Sequence, residues 1–195
     1  MRYTIWYRHN YPWGDYGLTL THGMIHHDDR GFGHIMRTGP YIPPVTFPPF
    51  SVVVTQAVKD ALEDSALSGY VLKPVSKSHI VRVDWRTWDL DADSPRYYPP
   101  GGEPENYICD QPHCRKTANI MPDLWELAGT PFGHVTRLEG KARWTNPIEP
   151  AIDFLKPNDP GWKTLVISDA AKDFLAEISD DSIEFERNEK LEIPG

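Results

Sequence analysis

Ser51 to Val75 reads SVVVTQAVKDALEDSALSGYVLKPV, and Thr164 to Arg187 reads TLVISDAAKDFLAEISDDSIEFER. In each stretch a β-branched and apolar run (Val52, Val53, Val54; Leu165, Val166, Ile167) meets a hydroxyl residue, Thr55 or Ser168, and then acquires helical periodicity. A hydroxyl suits the N-cap, where its oxygen accepts from the unpaired N–H groups of the first turn. Ala57, Val58, Ala61 and Leu62 match Ala170, Ala171, Phe174 and Leu175, spaced to make one apolar helical face. The charge pair Lys59-Asp60 matches Lys172-Asp173. Each helix gives way to a β-rich run, Tyr70 to Val75 or Ile183 to Phe185. The two stretches therefore read as one β-α-β unit written twice, an internal pseudo-repeat of 51–75 and 164–187.

Around these units the expected fold class is α+β: a mixed, largely antiparallel sheet, few helices and long Pro/Gly-rich connections, in a single domain spanning 1–195. The 195 residues, 39% of them hydrophobic, suffice for an ordinary core without covalent staples. Arg2 to Arg8 reads as an opening strand inside the sheet. Between Tyr11 and Gly33, six residues of glycine and proline predict hairpins or ordered loops and no helix. Arg37 to Phe50 (RTGPYIPPVTFPPF) predicts an ordered extended connector, with Tyr41, Ile42, Val45, Phe47 and Phe50 available to pack. Ser78 to Trp88 alternates as a half-buried strand, Met121 to Ala128 reads as a short helix, and Phe132–Leu138 with Lys141–Trp144 reads as a hairpin around Glu139-Gly140. Ala151 to Leu155 fits a short helix or a strand.

Net charge is −8, with 11 acidic and five basic residues in 151–195. That balance disfavours direct nucleic-acid binding, which depends on clustered Lys and Arg, and favours a basic protein partner. No membrane span or apolar leader is legible, so the expected location is the cytoplasm. Two cysteines, Cys109 and Cys114, make no disulfide framework.

Two clusters carry metal-ligating residue types. His22, His26, His27 and His34, with Asp28 and Asp29, form the densest set, but adjacent side chains in an extended chain diverge. Cys109, His113 and Cys114 (CDQPHC) have ligand-pair spacing without a second pair. Either supports an alternative reading as a metal-binding protein or metal-dependent hydrolase. The leading expectation is no metal, no cofactor and no catalytic residue, because the chain holds no nucleophile elbow, P-loop, dinucleotide fingerprint or zinc-protease helix. The alternating Asp89, Asp91 and Asp93 lack the glycine and the glutamate of a calcium loop.

The combination of RTGPYIPP, VVVTQAVKDALEDS followed by GYVLKPV, and LVISDAAKDFLAEI followed by IEFER resembles immunity proteins of bacterial polymorphic and contact-delivered (type VI-secreted) toxin systems, in particular groups related to double-CXXCG proteins. The likeness covers about a third of the chain, and CDQPHC departs from the paired CXXCG motif, so a family zinc site is not carried over. The resemblance implies a non-enzymatic inhibitor that binds a cognate toxin, such as a nuclease, and blocks its cleft. Charge and aromatic content then nominate Trp85, Trp88, Asp89, Asp91, Asp93, Glu103, Glu105, Asp180 and Asp181 as toxin contacts, with exposed tryptophans beside a carboxylate row.

Overall fold

A computed structural model describes residues 1–8, 13–87, 89, 91, 104–132, 135–138, 141–144, 152–157, 164–179 and 182–188. The elements run β1 (Arg2–Tyr7), α1 (Asp15–His22), β2 (Met24–His27), β3 (Gly33–Gly39), β4 (Val45–Thr46), β5 (Val53–Thr55), α2 (Gln56–Glu63), β6 (Tyr70–Arg82), a 3-10 turn (Trp85–Thr87), α3 (Pro104–Asp110), α4 (Arg115–Ile120), β7 (Leu124–Phe132), β8 (Val135–Leu138), β9 (Lys141–Trp144), β10 (Phe154–Pro157), β11 (Val166–Ser168), α5 (Asp169–Ile178) and β12 (Ile183–Asn188). Ten strands form one open sheet, ordered β12-β1-β11-β10-β7-β6-β3-β2, with β5 on β7 and β4 on β5. Only β10·β7 and β3·β6 are parallel, so the sheet is mixed and mostly antiparallel. β8 and β9 pair as a separate antiparallel hairpin. No helix among the described residues is long and apolar enough to cross a membrane.

The repeated sequence is a repeated structure. In the first unit β7 lies between β5 and β6, antiparallel to both; in the second, β1 lies in the same way between β11 and β12. The registers coincide without slippage. Val53 faces Glu126 as Val166 faces Thr4, Thr55 faces Leu124 as Ser168 faces Arg2, and Val75 faces Leu124 as Asn188 faces Arg2. The flanking hairpin strand repeats too: β4 pairs β5 (Val45↔Val54) as β10 pairs β11 (Phe154↔Ile167). The matched lysines do the same work, Lys59 over the ring of Trp125 at 4.9 Å and Lys172 over Tyr3 at 5.4 Å. Both helices contribute to one core, where Val58, Leu62, Ala171 and Leu175 pack with Ile5, Val54, Leu127 and Ile167. Ala57 and Ala170, expected on the apolar face, are exposed.

The hydroxyl cap holds at one unit. Ser168 Oγ accepts from Ala171 N at 3.1 Å, whereas Thr55 makes no side-chain cap. At α2 the carbonyl of Asp123 instead takes the Gln56 N–H at 2.8 Å, a tertiary contact satisfying a first-turn donor.

Several expectations hold and several are corrected. β1 is the strand expected at the start, β8 and β9 form the expected hairpin although Phe132 belongs to β7, and of 151–155 Phe154 and Leu155 lie in β10, Ala151 falling outside the described residues. The Pro-rich connector is ordered, burying Ile42, Val45 and Phe47, but Phe50 is left 64% exposed. Tyr11–Gly33 contains the helix α1, which the glycine content argued against. Gly23 ends it at φ 73, where a Cβ would come within 2.5 Å of Arg37 Cβ, and buried Leu20 holds it to the core. Met121–Ala128 is not a helix: Leu124 to Gly129 lie in β7, hydrogen-bonded to β6 on one edge and β5 on the other. The strand expected over Ser78–Trp88 begins at Tyr70 and ends at Arg82, joining the Tyr70–Val75 run across Pro74. Pro74 is tolerated one residue before pairing with β3 begins at Val75.

Because Leu62 and Leu175 are fully buried at equivalent positions of one core, each truncation to alanine should cost about 2–5 kcal/mol of unfolding free energy, measured by urea titration.

Candidate interaction surface

The nominated contacts divide by burial. Trp85 is not an exposed anchor. It is 8% exposed and packs with Leu20, Val81 and Ile108, its ring edge-on to Tyr41 at 6.4 Å. Arg86 stacks on the other partner of this corner, its guanidinium 4.0 Å from the Tyr41 ring centre. The physical reason for the correction is the end of β6 at Arg82: the following 3-10 turn folds the indole inward. Asp89 and Asp91 are exposed just beyond it, with Asp91 N donating to Asp89 Oδ1 at 3.1 Å. Glu105 lies in α3, and its side chain, like Trp88, Asp93, Glu103, Asp180 and Asp181, falls outside the described residues. The described acidic surface of the loop is thus Asp89 and Asp91.

The histidines do not converge. His22 is buried on the side of α1, accepting the Phe47 N–H at its Nδ1 (3.1 Å) with Thr46 Oγ1 at 2.9 Å, so its proton sits on Nε2. His26 and His34 stack across the β2–β3 pair with ring centres 5.0 Å apart. His34 Nδ1 is 2.6 Å from Ser76 Oγ, and His27 Nε2 is 3.0 Å from Glu126. Asp28 accepts from Phe32 N and Arg30 N, which with His34 hold its carboxyl below the usual range. Cys109 and Cys114 are free thiols. The Thr117 hydroxyl, donating to Cys114 Sγ at 3.1 Å, lowers that thiol's pKa, aided by nearby backbone N–H groups and Arg82. His113 is occupied in accepting from Ile80 N. Among the described residues no three of His, Cys, Asp and Glu are grouped to hold a metal ion.

Sequence reasoning missed two polar nodes. The first is Glu126 on β7, which accepts from Ser51 Oγ at 2.8 Å while bound by His27. It ties the 28–32 turn to the 48–51 turn across the sheet. One carboxylate thus holds a hydroxyl from one turn and an imidazole from the other. Beside it lies a recess of about 20 Å³ lined by Phe50, Glu126, Lys156 and Thr164, room for a water and not for a substrate.

The second node is buried. Arg37, fully buried, donates to the carbonyls of Thr38 (2.9 Å), Thr21 (2.8 Å) and Tyr41 (3.0 Å), while Thr38 Oγ1 donates to Leu20 O at 2.7 Å. In the last turn of α1 the carbonyl of Thr21 is thus met by a cation, the sign a helix C-terminus favours, and that of Leu20 by a hydroxyl. Burial pushes the guanidinium down to about 9. Burial, and then the positive charge of Arg37, press His22 down to about 3. A single arginine among apolar neighbours gives no sign in sequence that it will be buried.

Compared with known proteins, the chain matches no family model, no curated protein and no solved structure.

Arg37→Met removes the donor from the buried carbonyls of Thr21 and Thr38 and the half-buried one of Tyr41, and should cost roughly 3 kcal/mol in urea unfolding. His22 stays neutral in the fold down to about pH 3, while in the unfolded chain it protonates near the ordinary imidazole value of 6.5. Between those values the unfolded state binds more protons, so stability should fall as pH drops, by at most about 1.4 kcal/mol per unit from this group. His22→Asn, which keeps an acceptor for Phe47 N, should flatten that slope in unfolding titrations run across the window.

Proposed function

We propose that this chain is an immunity protein that binds a cognate bacterial toxin and keeps substrate from its active-site cleft. The observation that carries the reading is the pair of strand-helix-strand stretches, SVVVTQAVKDALE to KPV and TLVISDAAKDFLAEI to FER, whose sequences bear the family resemblance. That both are built in one register supports treating them as the two halves of a single inhibitor scaffold, and no longer as coincident β-α patterns.

The charge balance gives the scaffold a use. At −8, the chain suits a basic partner, and a nuclease, whose cleft attracts polyanions, is the toxin class such an inhibitor serves best. Complementary charge accelerates encounter and suppresses wrong partners. Asp89 and Asp91, displayed at the exit of a turn whose Trp85 is locked in the core, are carboxylates on a firm base. A proteinaceous inhibitor of this kind works in the cytoplasm of the producing cell and needs neither metal nor cofactor.

The test is co-expression with the toxin encoded by the neighbouring gene. Cells should die when that toxin is expressed alone and survive when this chain is present; survival without it overturns the reading. Reversing Asp89 and Asp91 to lysine should slow association with the toxin, measured by surface plasmon resonance, and leave the melting temperature within about 2 °C.

A further inference from the structure

We draw no further inference here: the strongest candidate, the surface patch of exposed carboxylates carried by Asp60, Glu63 and Asp64 on α2 and by Asp169, Asp173 and Glu177 on α5, the two helices that share one core, is an acidic cluster partly paired within the chain by Lys59 and Lys172, and nothing in the structure shows what covers it.

Discussion

The structure depends on a reciprocal exchange of strands. Each β-α-β unit leaves a gap between its two parallel strands, and the strand that fills it comes from far away in the chain: β7 completes the unit of α2, and β1 completes the unit of α5. Since β1 precedes the first unit and β7 precedes the second, each half of the chain supplies the central strand of the other half. Without β7, the inner edges of β5 and β6 would present unpaired N–H and C=O groups next to an apolar core, a cost of the order of a kcal/mol or more per group. The halves are joined again through β10, which pairs with β11 in the second unit and, in parallel, with β7. That junction is tight: a Cβ on Gly129 would come within 2.6 Å of the Leu155 backbone. Such long-range pairing closes large loops before it is rewarded, and it makes the sheet one cooperative object.

Outside the paired units the chain is held by buried polar contacts. Arg37 reaches from β3 to the end of α1 and to the connector that follows, and His22 fastens the same helix end to β4 through Thr46 and Phe47. Both pay for burial with depressed basicity, and both offset it by occupying backbone groups that would otherwise be stranded. Together they turn a glycine-rich, aromatic-rich stretch of low helical promise into an ordered helix and hairpin at the edge of the sheet.

The cores and polar nodes take several of the nominated groups off the surface. Trp85 belongs to the interior, the histidines are distributed among Thr46, Ser76 and Glu126, and of the nominated contacts whose side chains are described Asp89 and Asp91 are exposed.

The α+β class, the two units and their matched apolar positions were legible in the sequence, because periodicity and capping chemistry are local: Val58 and Leu62, like Ala171 and Leu175, lie on the face their spacing dictates. The hydroxyl cap was legible at Ser168 and failed at Thr55, where a distant carbonyl took its place. Met121 to Ala128 spell a helix by local pattern, yet Leu124 to Ala128 form a strand because β6 offers hydrogen bonds along one edge and β5 along Leu124–Glu126 of the other, a gain no neighbouring residue encodes. Excess acid was countable along the chain, whereas exposure was not: the sequence ranks Trp85 and Phe50 as equally apolar. Only the folded sheet buries the first and projects the second, since burial is fixed by what packs across from a side chain, and that is decided by strands brought together from opposite halves of the molecule.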